Sequence, residues 1–256
     1  ALSTLNAGAD GNNVAVGYNS GYAMTTGANN ITIGAEAGDA LTTGTDNIAI
    51  GRQALSTKTT GAGDVAIGHQ ALQDADGGDG LNVAVGYRAG RNITSGIRNI
   101  VIGASAGDTL STGLDNIAIG YQALATEDTG SNNVAVGHQT LKNLNYNGAG
   151  YNTAIGHEAG ELLTDGIYNT LIGGLSGDSL TTGNNNVTLG FATLSDEDGH
   201  GYNVAIGSYA LQVQNAGADA YNVAVGYSTG RALTTGVNNI TIGGEAGLVL
   251  TTGSYN

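Results

Sequence analysis

Histidine changes charge near neutral pH and is the commonest side-chain ligand for transition ions, and this chain has four: His69, His138, His157 and His200. Carboxylates could share such work, and they gather at Asp74, Asp76 and Asp79 and again at Asp196, Glu197 and Asp198. Neither set reads as a site. The histidines lack the close spacing of a zinc ligand set, and no nucleophile is paired with a base. A regularly repeated Gly-Gly-x-Gly-x-Asp calcium pattern is absent, so the acidic clusters read as solvated loops. Cysteine is absent too, which removes thiolate chemistry and any disulfide framework. Glycine-rich stretches open no helix, so there is no phosphate cradle. Catalytic, cofactor-binding and metal residues are all expected to be none, and the chain is not expected to be an enzyme.

The histidines belong to a repeat. His69, His138 and His157 each follow the closing glycine of a motif Asn-Val/Ile-Ala/Thr-Val/Ile-Gly, in the slot held elsewhere by Tyr18, Arg52, Tyr87, Tyr121, Phe191 and Tyr227. The closing glycines are Gly17, Gly34, Gly51, Gly68, Gly86, Gly103, Gly120, Gly137, Gly156, Gly173, Gly190, Gly207, Gly226 and Gly243. A repeat of about 17 residues is the sequence signature of a stacked architecture, and it lengthens slightly only at every fourth step. Four turns thus make a superrepeat of about 70 residues, with boundaries near 1–17 (partial), 18–86, 87–156, 157–226 and 227–256 (partial).

The residue four places after each closing glycine follows the same larger rhythm, two glycines and then two leucines. Where it is Gly, an apolar residue stands three places on: Met24, Leu41, Ile93, Leu110, Leu163, Leu180, Leu233 and Leu250. Where it is Leu, the later slot is polar at Lys58, Glu127, Glu197 and Gln214, with Ala75 and Leu144 as exceptions. Each turn is therefore expected to send a large side chain to one shared core position by one of two backbone routes.

The motif alternates, is β-branched, is too short for a helix and is bounded by turn formers, so each turn is a strand plus turns. One turn cannot bury its own apolar side. Stacking turns about 4.8 Å apart gives a continuous sheet and core, and fourteen motifs give a rod on the order of 65 Å. The fold class is all-β, a parallel β-solenoid of about 14 turns forming one repetitive region.

The Asn that opens each motif is Asn13, Asn30, Asn47, Asn82, Asn99, Asn116, Asn133, Asn152, Asn169, Asn186, Asn203, Asn222 and Asn239, with Asp64 the one exception. Stacked amides can form a hydrogen-bonded ladder. Asn30, Asn186 and Asn239 fit a glycan acceptor pattern but sit in that ladder, so no glycan is expected on them; Asn92 fits it outside the ladder. The central strand residue, Ala15, Thr32, Ala49 and onward, never carries a charge. Both strand faces are therefore expected to be covered, across the coil or by a neighbouring chain.

Glycine numbers 45, proline and cysteine are absent, and 21 acidic residues against 7 basic ones give a formal charge of −14. Nucleic acid would be repelled. Apolar runs are too short to insert in a membrane. Ala1-Leu2-Ser3-Thr4 lacks the regions of a signal peptide, so an export signal lies elsewhere or none is used, as in a virion protein assembled in the cytoplasm. The array begins mid-turn and stops at Ser254-Tyr255-Asn256, where another strand is due; it is expected to continue, with caps elsewhere.

Segments such as Asn47-Ile48-Ala49-Ile50-Gly51-Arg52-Gln53-Ala54-Leu55, with Thr-Thr-Gly before many of the Asn residues, resemble the repeats of phage tail-fibre proteins. The strand motif is also similar to the head repeat of the YadA-like trimeric autotransporter adhesins, although that repeat is shorter than the unit here. The resemblance implies a left-handed parallel β-roll assembled as a homotrimer. It also implies a shaft or head segment on a virion or cell surface that spaces or presents parts binding a receptor or glycan. A self-cleaving C-terminal chaperone domain in the full-length protein is implied as well.

A thin core agrees with oligomerisation. The alternative is a carbohydrate-binding module using a row of Tyr18, Tyr87, Tyr121 and Tyr227, though the simpler expectation is that these rings cover the coil or line a chain contact. Ice binding by the pairs Thr25-Thr26, Thr42-Thr43, Thr59-Thr60, Thr181-Thr182, Thr234-Thr235 and Thr251-Thr252 is a third reading, weakened because Asp128 and Asp165 interrupt the row.

Overall fold

Each motif becomes a three-residue strand in the computed structural model, which describes Leu2, residues 11–76 and residues 78–256. The start of the chain, read above as an opening partial turn, otherwise lies outside the described residues. Fourteen parallel strands carry the fold, and the described residues contain no helix. They fall into two units, Ala1–Ser131 and Asn132–Asn256. The first holds β1 (Val14–Val16), β2 (Ile31–Ile33), β3 (Ile48–Ile50), β4 (Val65–Ile67), β5 (Val83–Val85), β6 (Ile100–Ile102) and β7 (Ile117–Ile119). The second holds β8 (Val134–Val136), β9 (Thr153–Ile155), β10 (Thr170–Ile172), β11 (Val187–Leu189), β12 (Val204–Ile206), β13 (Val223–Val225) and β14 (Ile240–Ile242). Within each unit every strand pairs in register with the next in sequence, so each unit is a parallel β-solenoid.

The closing glycine is required by the stacking. Gly34 has φ +131, and a Cβ there would lie 2.7 Å from the carbonyl carbon and oxygen of Gly51 in the next turn. Past it, both turn routes put the fourth residue in the left-handed region: Gly38 at φ 53 and Leu55 also at φ 53. With Gly in that slot the space is filled from three residues on, since a Cβ on Gly38 would meet Leu41 Cδ1 at 2.8 Å. With Leu in the slot the leucine itself fills it. Met24, Leu41, Ile93 and Leu110 from one route and Leu55, Leu72, Leu124 and Leu141 from the other are all fully buried. The shared core position is thus supplied as the repeat implies.

The central strand residue points inward: Ala49, Ala66, Val101, Ala154 and Leu171 are fully buried. The flanking β-branched residues point out and are half-buried or exposed, as at Val14, Ile33, Ile100, Ile155 and Ile240. The absence of charge at the central position therefore reports the coil interior. The expectation that both faces are covered is not met within the chain, whose outward strand face is open.

The asparagines line the interior as a ladder. Asn47 donates its backbone N–H (3.1 Å) and its Nδ2 (3.2 Å) to Asn30 Oδ1, and its Nδ2 donates again to Gly61 O at 3.0 Å. The same pattern recurs at Asn99 and Asn116 in the first unit and at Asn152, Asn169 and Asn186 in the second. In this pattern the buried amide is satisfied by the turns on either side of it in the stack.

The break at Asp64 explains a buried lysine. An aspartate has no Nδ2 to give to the carbonyl of Gly78, and Lys58 Nζ donates to that carbonyl instead, at 2.5 Å. Nζ also lies 2.9 Å from Asp64 Oδ2, both side chains being 1% exposed. That contact is one of charge with charge, since Oδ2 accepts no well-directed hydrogen bond. Asp64 Oδ1 continues the ladder by accepting Asn82 N and Nδ2. A second repair stands in the long step between Gly207 and Gly226. There Gln214 donates to Asn203 Oδ1 and accepts from Asn222 Nδ2, each at 3.0 Å. The polar slots of the Leu-type turns are therefore interior, and Lys58, Glu127, Glu197 and Gln214 are all fully buried.

Removing one member of a buried ion pair strands the other, so Lys58→Met should destabilise the protein by about 3–5 kcal/mol in denaturant unfolding. Adding Asp64→Asn restores a ladder amide able to reach Gly78 O, and the double variant should regain most of that loss. A double variant as unstable as Lys58→Met alone would show that Lys58 does not stand in for the missing amide.

Candidate functional surfaces

The slot after the closing glycine lies outside the coil. Tyr18, Tyr87, Tyr121 and Tyr227 are each about half exposed or more. His69 stacks on Tyr87, with centroids 5.4 Å apart and planes at 7°, and His138 stacks on His157 at 4.8 Å and 5°. Tyr227 meets Tyr209 edge-on, as does Phe191, and Arg231 lies 5.1 Å from the Tyr209 ring centre. Ala35, Ala104, Gly174, Ser208 and Gly244 interrupt the slot, so it forms short clusters and no continuous row.

A second set of aromatics escaped the sequence reading. Tyr151, Tyr168, Tyr202 and Tyr221 precede the ladder asparagines of the second unit and are exposed. All four have left-handed backbones, with φ from 50 to 62, which costs roughly 1–2 kcal/mol for a side chain of this size. Equivalent turns place Asn29, Asp46, Asn185 and Asn238 there, residues that tolerate the conformation. Tyr151 stacks on Tyr168 at 5.7 Å and Tyr202 on Tyr221 at 4.9 Å. Reading the residue before each ladder Asn as its own column would have found them.

Threonine hydroxyls of the Thr-Thr columns tie one turn to the next. Thr25 Oγ1 donates to Thr42 O, Thr42 Oγ1 to Thr59 O and Thr164 Oγ1 to Thr181 O. In Thr25-Thr26 and Thr42-Thr43, and at Thr164 beside Asp165, the first hydroxyl thus holds the backbone of the next turn. Asp76 extends the same seam by accepting Thr59 N at 3.0 Å and Oγ1 at 2.8 Å.

The acidic clusters separate into different kinds. Asp196 and Asp198 are exposed, as solvated loops should be. Glu197 departs from that expectation because it caps the interior: Oε1 accepts His200 N at 3.2 Å and lies 3.0 Å from His200 Nδ1, while Oε2 accepts Gln214 Nε2 and Ala216 N. Asp108 and Asp178 occupy one column, one superrepeat apart. Asp108 faces Arg88 and Arg91 at 3.2 and 3.3 Å. Asp178 has no such cation among the described residues: desolvation pushes its pKa up to about 6, with the nearby charges of Asp196, Glu158 and Glu161 acting in the same direction. Lys142 pairs with Glu161 at 3.2 Å.

Because the folded pKa of Asp178 lies above the ordinary aspartate value, its protonated form favours the fold. That contribution is present below about pH 4 and is lost as pH rises toward and through about 6. Asp178→Asn should therefore stabilise the protein at pH 7.5 by roughly 1 kcal/mol, discounted for the partial exposure of the group, with the gain vanishing near pH 4. Urea unfolding at the two pH values measures it. An equal gain at both would place the effect outside titration of this carboxyl.

Compared with known proteins, the chain matches no family model, no curated protein and no solved structure.

Proposed function

We propose that the chain is a segment of a structural or adhesive fibre built from copies of itself, three chains in the assembly that the sequence resemblance implies. It would serve on a virion tail fibre or a cell surface, spacing or presenting parts that bind a receptor or glycan. The observation that carries this reading is the open strand face. Its two outward columns read Val14, Ile31, Ile48, Val65, Val83, Ile100 and Ile117 beside Val16, Ile33, Ile50, Ile67, Val85, Ile102 and Ile119 in the first unit. In the second unit they are again aliphatic or threonine at every strand. No charge enters either column in a chain with a formal charge of −14.

A seven-strand face of this kind presents roughly 300 Å² per unit at strand and residue spacing. Patches of this order are the largest that a typical monomer shows and are often functional. A partner that meets every turn must itself advance by the strand spacing, and another copy of this coil does. Burying the face would also supplement a core made largely of alanine and a single leucine column.

The direct test is the solution mass of the tag-free chain by light scattering, expected near three times 25.3 kDa. The triple variant Ile33→Lys, Ile102→Lys, Ile155→Lys puts charge on the outward face and should give a monomer with the wild-type far-ultraviolet dichroism. A monomeric wild-type chain would overturn the proposal. The carbohydrate reading would then be tested by a glycan array, because Tyr18, Tyr87, Tyr121 and Tyr227 are each about half exposed or more.

A further inference from the structure

The coil sets a rule for proximity that sequence spacing conceals: residues in the same slot of consecutive turns are neighbours, whatever number of residues the turn contains. His138 and His157 follow the closing glycines Gly137 and Gly156, which bound one of the long steps of the repeat. Strands β8 and β9 pair in register just before them, Val136 opposite Ile155. The longer turn leaves that register intact, and the two rings stack with centroids 4.8 Å apart and planes 5° from parallel. Glu158 is anchored against the same turn by its N–H donating to His138 O at 2.8 Å, and its Oε2 lies 3.5 Å from His157 Nδ1. One ligand atom from each of His138, His157 and Glu158 lies within 4.8 Å of the others.

We propose that His138, His157 and Glu158 form a binding site for a borderline divalent transition ion of the zinc type. Two imidazoles and one carboxylate are a three-ligand set for such an ion, leaving a coordination position for water or a further ligand. Nitrogen ligands sit about 2.0–2.1 Å from zinc, so the two ring nitrogens must converge to roughly 3.3 Å. Parallel rings do not aim their lone pairs at one point, and binding therefore requires one or both rings to turn. They have the room: both are exposed, and the His157 side chain is 59% exposed. Glu161 shares the turn of Glu158, and Asp178 and Asp196 stand in the next two turns, so these carboxylates form one acidic neighbourhood around Asp178. The nearby cation Lys142 is paired with Glu161.

In the other histidine–carboxylate group, Glu197, Asp198 and His200, the central carboxylate is already engaged. Both oxygens of Glu197 are committed to His200, Gln214 and the Ala216 amide, and its side chain is fully buried. Glu197 thereby latches the turn, and of that group only Asp198 is exposed.

The test is calorimetric titration of Zn²⁺ into the full, tag-free chain at pH 7.5, with Ni²⁺ as a second probe. Saturable binding of one ion per chain is expected. His157→Ala should weaken it at least tenfold and Glu158→Gln several-fold, while His200→Ala leaves it unchanged. Because all three ligands come from one chain, the stoichiometry per chain should be the same whether the protein is a trimer or a monomer, so the result is independent of the assembly proposed above. No saturable binding to the wild-type chain, or binding that survives His157→Ala, would overturn the assignment.

Discussion

The amide ladder sets the conditions that the rest of the structure must meet. A buried Asn has two N–H groups and a carbonyl oxygen to satisfy, and here both the backbone N–H and Nδ2 of one turn converge on the Oδ1 of the turn before. The remaining Nδ2 hydrogen closes on a glycine carbonyl in the next turn along the chain. In this regular pattern the turn relies on its neighbours to satisfy its amide. Every turn must therefore return to the same place in register, and length is tolerated only where the path can bulge without moving the strand. That agrees with insertions of only one or two residues between closing glycines. Leaving a buried polar group unmade costs about 1–3 kcal/mol, more than one alanine methyl supplies. The repair devices at Lys58 and Gln214 follow from that imbalance.

The same constraint fixes which side of the strand is open. With the ladder Asn inside, alternation sends the next residue out, the central residue in and the third residue out. The interior receives alanine, the outside valine and isoleucine, which reverses the usual assignment of the larger side chains to the core. A thin stack gains from this arrangement only if something covers the outer columns. The uncharged face and the small interior are thus two consequences of one register.

Much of this was legible in the sequence because periodicity is legible. The strands, the closing glycines, the ladder and its exception at Asp64, and the two routes to a shared core leucine were all readable as columns. What stayed hidden was direction. Spacing alone did not say that the polar slots at Lys58, Glu127, Glu197 and Gln214 face inward, because a charged residue in a turn reads as solvated until its partner is seen. Lys58 makes sense only once Asp64 is known to lack a donor toward Gly78. The tyrosines before the ladder asparagines were missed for a related reason: a bulky residue at positive φ is not predicted locally, and the stacked turns impose the conformation.

Proximity was hidden in the same way at His138, His157 and Glu158. Ligand patterns in ordinary sequences rely on helical or hairpin spacing, where neighbours lie a few positions apart. In a coil the relevant interval is one full turn, and a lengthened turn gives the same adjacency as a regular one as long as strand pairing holds. Repetition is usually taken to argue against specific chemistry, since it spreads residue types evenly. A column is nevertheless the cheapest way to bring like side chains together, because the scaffold has already fixed their separation near the strand spacing. Two histidines in adjacent turns need no pocket, only a carboxylate beside them, and Glu158 stands in that place.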